Sequence, residues 1–128
     1  MNVTQAHVLV IDDDLALRET TAALLGELGY DVYEAASGEE ALEALAYEPP
    51  IDVMLTDVVM PVMTGPELAR RARASYPELP VVFISGYSDP EALVGAGEFA
   101  NLVRKPAPPD VLVRAIEGAL IRHPAAVE

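Results

Sequence analysis

Five short apolar runs punctuate the chain, and longer stretches of mixed polarity separate them. The runs fall near 7–12, 31–35, 51–56, 80–85 and 100–104, each of strand length. Between them lie helical patterns near 14–28, 38–47, 65–75 and 90–96, with a last one at 109–122. Strands that alternate with helices in this way predict a parallel sheet covered on both faces.

The helices carry their own punctuation. Ser37 with Glu40, Thr64 with Glu67 and Ser88 with Glu91 have the spacing of capping boxes. Pro90 and Pro109 suit first helical turns, and Gly29 stands where a C-terminal glycine ends the first helix. Leu17, Leu24 and Leu28, at spacings of seven and four, mark the expected core face of that helix. Val111, Leu112, Ala115, Ile116, Ala119 and Leu120 do the same for the last. The fourth helix is the weak one, because Gly95 and Gly97 both fall in a short span.

Composition narrows the class. A chain of 128 residues with 52% apolar content is one domain with a real core, spanning about 7–122 and followed by a tail at 123–128. No run is long enough to span a membrane, and Asn2-Val3-Thr4-Gln5 gives no secretion signal. The absence of cysteine excludes disulfides and thiolate chemistry and fits a reducing cytoplasm. A net charge of −13 argues against direct nucleic-acid binding, which rests on neutralising phosphates with Lys and Arg.

The acids are not spread at random. Asp12-Asp13-Asp14 follows the first apolar run, Asp57 follows the third, and Lys105-Pro106 follows the fifth. In a parallel sheet these ends share one edge, where open α/β folds place their sites. Carboxylates gathered there repel one another unless a divalent cation binds among them. A lysine across the same edge suits an incoming anion. The pattern is that of a site for magnesium and a phosphoryl group. Singly, each residue has a plainer role: Asp57 as a loop acid, Asp12 and Asp13 as turn residues, Lys105 as a surface lysine. Asp14 reads as the cap of the first helix, and Met54, Met60 and Met63 as packing residues.

Taken in order, Asp12-Asp13, Asp57-Val58-Val59-Met60-Pro61-Val62-Met63-Thr64-Gly65, Ser85-Gly86 and Lys105-Pro106 resemble a response-regulator receiver domain of two-component signalling. The resemblance runs from Val8 to about Arg122. It implies a flavodoxin-like, doubly wound α/β fold: five parallel strands in the order 2-1-3-4-5 with five helices. It also implies Asp57 as phosphoacceptor. Asp13, Asp57 and the main-chain carbonyl of Val59 would hold Mg²⁺, with Asp12 holding a bound water or a share of the metal. Lys105 and the Ser85 hydroxyl would contact phosphoryl oxygens, and Gly86 would leave room for the group. The implied donor is a histidine kinase or histidine phosphotransfer protein. The implied output is a protein target on the face made by the helix at 90–96, the fifth strand and the helix at 109–122. The domain would be a signalling receiver rather than an enzyme with its own turnover.

Departures from the family pattern matter as much. The strand-five position that often carries Tyr or Phe is Leu102, and the residue after Lys105-Pro106 is Ala107 rather than Phe. Tyr87, two residues after Ser85, is an alternative aromatic latch. Val59 offers no polar group to orient an attacking water, which predicts slow loss of the phosphoryl group. Phe83-Ile84-Ser85-Gly86-Tyr87 resembles receivers in hybrid histidine kinases and in some single-domain regulators; the start at Met1 leans towards the latter. A rival reading takes Asp12-x-Asp14 as the opening motif of a haloacid-dehalogenase-like phosphatase, with Asp12 as nucleophile and Asp14 as acid/base. That reading leaves Asp57 without a role.

Overall fold

The computed structural model describes residues 6–47, 50–85, 102–104 and 108–122. Along the chain run β1 (His7–Ile11), α1 (Leu15–Glu27), β2 (Asp31–Ala35), α2 (Gly38–Tyr47) and β3 (Val53–Asp57). They are followed by α3 (Gly65–Ser75), β4 (Val81–Ser85), β5 (Leu102–Arg104) and a C-terminal helix, α4 (Pro109–Arg122). The strands form one parallel sheet in the order β2-β1-β3-β4-β5. This is the expected flavodoxin-like order. Four of the five expected helices are described; the one near 90–96 lies outside the described residues.

Alternation along each strand divides the core between two faces. Leu9 and Ile11, Met54, and Val81 and Phe83 point to one side, where Ala41 and Leu45 of α2 and Leu68, Ala69 and Ala72 of α3 cover them. Met60 and Met63 are buried in that layer, as packing residues should be. Val8 and Val10, Val53 and Leu55, and Val82 and Ile84 point to the other side, under Leu25 of α1 and Leu112, Ile116, Ala119 and Leu120 of α4. The central strands β1, β3 and β4 are mostly apolar on both faces because both faces are buried, whereas edge strand β2 exposes Asp31 and Glu34.

The helix ends follow the sequence signals. Ser37 Oγ accepts from the Glu40 N–H at 3.1 Å, and Glu40 Oε1 accepts from the Ala36 N–H at 2.9 Å. Thr64 Oγ1 caps α3 through the Glu67 N–H at 3.2 Å, while the Glu67 carboxylate pairs with Arg71 one turn on, at 2.7 Å. Gly29, at φ 104°, ends α1. Its N–H donates to Gly26 O and the Tyr30 N–H to Leu25 O, both at 3.1 Å, the two bonds of a Schellman motif.

Besides Val111, expected on the core face of α4 but 37% exposed, two expectations need correction. The core face of α1 is not the whole Leu17-Leu24-Leu28 stripe: Leu17 and Leu28 are 46% and 40% exposed, whereas Leu24 is half-buried and packs against the core. The inward line is Arg18, Thr21, Ala22 and Leu25, at helical spacing, with Leu25 fully buried and the others half-buried. Secondly, β3 starts at Val53, paired with Val8, rather than at Ile51. Just before it, the Asp52 N–H donates to His7 O at 2.9 Å, while Asp52 Oδ2 accepts the His7 N–H at 2.7 Å and lies 3.3 Å from His7 Nδ1.

Candidate functional site

The carboxyl ends of β1, β3 and β4 bring together the residues that matter. Asp57 is the last residue of β3, and Asp12 follows the last residue of β1. Oxygen atoms of Asp12, Asp13 and Asp57 all lie within 4.8 Å of one another. Asp12 is buried, Asp57 half-buried and Asp13 exposed. At that separation each pair of negative charges repels by about 3 kcal/mol at an effective dielectric near 20, and by less around the exposed Asp13. A cation relieves that repulsion. The donors are all hard carboxylate oxygens, the set that magnesium prefers.

The backbone behind the acids is held at several points. The Asp12 N–H donates to Ala35 O at 3.2 Å, and Asp12 Oδ1 accepts the Asp14 N–H at 2.9 Å. Asp14 caps α1, as expected: its Oδ1 accepts the Leu17 N–H at 3.0 Å. After β3, the Val58 N–H donates to Ile84 O at 2.9 Å and the Gly65 N–H to Val58 O at 2.8 Å. The Asp57 carbonyl accepts the hydroxyl of fully buried Thr56 at 3.0 Å. Gly65 is packed so closely on this turn that a Cβ there would overlap the Asp57 carbonyl oxygen. Gly38 is similarly tight, its missing Cβ lying 2.6 Å from Met63 Sδ, so Met63 ties the β3–α3 loop to the start of α2.

Between these fixed points the loop is strained. Val62 has φ 72°, and the Met63 N–H reaches back to Pro61 O at 2.7 Å across it. Positive φ at a β-branched residue is an outlier. The Val62 side chain is wholly exposed, and Val59 is 57% exposed beside Asp57.

Ser85 ends β4, buried, next to Ile84, which is the register partner of Asp57. Leu102 opens β5 opposite Phe83 and packs half-buried against the α2–α3 side of the core. Gly86, Tyr87, Lys105 and Ala107 lie outside the described residues. Two neighbours of the pocket were not foreseen. Arg18 donates from Nη1 to the Asp12 carbonyl at 2.9 Å, and Thr56 holds the Asp57 carbonyl. Thr56 was visible as the one hydroxyl in an apolar run just before Asp57; Arg18 was visible only as a cation six residues beyond Asp12.

A doubly wound parallel sheet with three carboxylates gathered on its carboxyl edge defines a class of acidic-pocket α/β domains. Comparison narrows the class to one family. The profile of the response regulator receiver domain matches residues 8–117. The chain is 37% identical over 119 residues to the response regulator receiver protein CpdR of Brucella abortus, covering 90% of this chain and 97% of that one. It is 42% identical over 85 residues to the sensor kinase CckA of the same organism, covering 66% of this chain but only 9% of the kinase. A receiver domain structure from Clostridium thermocellum superposes with a TM-score of 0.84 at 29% identity, covering 94% and 98% of the two chains. The Vibrio cholerae chemotaxis protein CheY4 gives 0.80 at 31%, covering 91% and 99%. The chain belongs to the response regulator receiver domain family of two-component signal transduction. The phosphatase reading finds no support: Asp14 is the α1 cap, and these matches are to signalling proteins. Among the described residues, no helix is long and apolar enough to cross a membrane.

Proposed function

We propose that residues 1–128 form a single receiver domain that accepts a phosphoryl group onto Asp57 from a phosphohistidine. The donor is a histidine kinase or a histidine phosphotransfer protein, in the cytoplasm. The observation that carries the reading is the cluster of Asp12, Asp13 and Asp57 carboxylates at the end of the central strands. An Asp57 carboxylate oxygen attacks phosphorus, the P–N bond to the imidazole breaks, and an acyl phosphate forms. Asp12, Asp13, Asp57 and the Val59 carbonyl would hold Mg²⁺, which supplies charge neutralisation for the transferring group. Ser85 donates its hydroxyl to one phosphoryl oxygen, Lys105 its ammonium to another, and Gly86 leaves space beside them. The rigid turn between Asp57 and Gly65 keeps the nucleophile in line.

Output is read on the surface formed by the segment at 90–96, β5 and α4. With Leu102 in place of an aromatic ring, Tyr87 is the aromatic residue that responds to the state of Ser85.

The test is incubation with acetyl phosphate or phosphoramidate, with and without Mg²⁺, followed by intact mass and peptide mapping. A Mg²⁺-dependent adduct on Asp57, absent in Asp57→Asn, is expected. An adduct on Asp12, or a yield indifferent to Mg²⁺, contradicts the reading.

A further inference from the structure

Beside the three carboxylates lies a cation held by the fold. Arg18 is on the inward line of α1, its side chain 13% exposed. Its Nη1–H donates to the Asp12 carbonyl at 2.9 Å, and its Nε–H donates to Glu34 Oε1 at 3.1 Å. Glu34 lies on β2, in register with Val10 of β1. One planar guanidinium therefore joins α1, β2 and the turn that carries the acids. The rigid fork of arginine suits that task, whereas lysine presents a point charge on a flexible stem.

The carbonyl that Arg18 grips belongs to the Asp12–Asp13 peptide. That unit is planar, so fixing its oxygen restricts the torsions on either side, from which both carboxylates project. The Asp12 N–H is already tied to Ala35 O, and Asp12 Oδ1 to the Asp14 N–H. The guanidinium completes the restraint.

We propose that Arg18 is a positioning residue for the metal pocket: by clamping the Asp12–Asp13 peptide to β2, it sets the carboxylate arrangement that binds Mg²⁺. The inference rests on the reading that these carboxylates hold Mg²⁺. Charge alone predicts the opposite sign, since deleting a nearby positive charge should tighten cation binding. Glu34, 3.1 Å from the guanidinium, stays behind when Arg18 is deleted and does not cancel that effect, so the direction in which the Kd moves separates geometry from charge. Groups that orient metal ligands from behind typically contribute ten- to a hundredfold to metal affinity.

The experiment is calorimetric Mg²⁺ titration of wild type, Arg18→Ala and Arg18→Lys, with thermal melts to establish the folded fraction. Amide exchange of the Asp14 N–H is followed without metal. We expect Arg18→Ala to raise the Mg²⁺ Kd about tenfold or more and to speed Asp14 exchange, with Arg18→Lys in between. A purely structural role would lower the melting temperature yet leave the Kd of the folded protein unchanged. An Arg18→Ala Kd within twofold of wild type, or tighter, overturns the proposal. If Arg18→Ala does not fold, Arg18→Lys decides: severalfold weaker binding supports the clamp, and wild-type affinity refutes it. Wild type that fails to bind Mg²⁺ overturns the metal reading and this inference together. Wild type that binds while the variants bind equally well removes Arg18 alone.

Discussion

Replacing Gly65 with alanine adds one methyl group at the tightest point behind Asp57. The new Cβ would overlap the Asp57 carbonyl oxygen and sit 3.2 Å from both Asp57 C and Val58 Cα. These are backbone atoms at the end of a central strand, and Val58 is further held by the Ile84 carbonyl and the Gly65 N–H. No flexible side-chain tip can move aside. Overpacking of this kind costs about 1–3 kcal/mol, towards the upper end where backbone must shift. Alanine offsets about 0.5–1 kcal/mol of that, because Gly65 opens a helix without a positive φ. The net is a loss of about 1–2 kcal/mol, a melting temperature about 4–8 °C lower for a domain of this size. Gly26 supplies the control: it is exposed in α1, and a Cβ there meets nothing within 4 Å. Gly26→Ala should raise the melting temperature by about 2–4 °C, from the helical term alone. Circular-dichroism melts of both variants decide the matter, with the rate of Asp57 modification by phosphoramidate as a second reading. If Gly65→Ala melts as high as Gly26→Ala and is modified at the wild-type rate, the close approach does not constrain the acceptor.

The strained loop makes an opposite prediction. Val62→Gly relieves about 1–3 kcal/mol of backbone strain against about 0.4–1 kcal/mol of added chain entropy, and the exposed side chain packs on nothing. Chemical denaturation should show a gain of about 1 kcal/mol; a loss would mean that the turn is not strained. Tyr30 is buried, and its hydroxyl has no hydrogen-bond partner among the described residues. Burial, and then the Glu117 charge, raise its pKa above 10.0. The folded state therefore keeps the proton more tightly than the unfolded chain. Stability is unaffected below the unfolded value and falls as pH rises from about 10 towards the raised one. Tyr30→Phe should flatten that decline without loss at neutral pH; a decline equally steep in the variant would place its cause elsewhere. Val59→Asn should lose its phosphoryl group faster than wild type, measured as decay of the Asp57 adduct after donor removal; equal or slower decay would show that this position does not govern hydrolysis.

The fold was readable because local signals agreed with one another. Short apolar strands with helical stretches between them admit few arrangements beyond a parallel sheet. Ser37, Thr64, Gly29 and Pro109 each mark a boundary by chemistry that does not depend on tertiary contacts. What escaped was anything set by contact at a distance. The start of β3 lies beside a contact 45 residues apart, where the Asp52 carboxylate accepts the His7 N–H. Nothing local in Pro61-Val62-Met63 announces a positive φ at valine, where asparagine or glycine would have done so.

The site shows the same division, and α1 shows why. The acids were legible because strand ends share an edge, which is a property of topology. Arg18 was not, because a charged residue is assigned to the surface by default, and doing so rotated the inferred core face of the helix towards Leu17, Leu24 and Leu28. The error is informative. An inward line reading Arg18, Thr21, Ala22, Leu25 is apolar only at its far end, and its polar end lies where α1 leaves the acidic pocket. A helix packed for stability alone would carry leucine at both ends, and Leu17 stands one residue away with 46% of its surface exposed. The rotation exposes apolar surface on α1 and places a guanidinium against the Asp12 carbonyl.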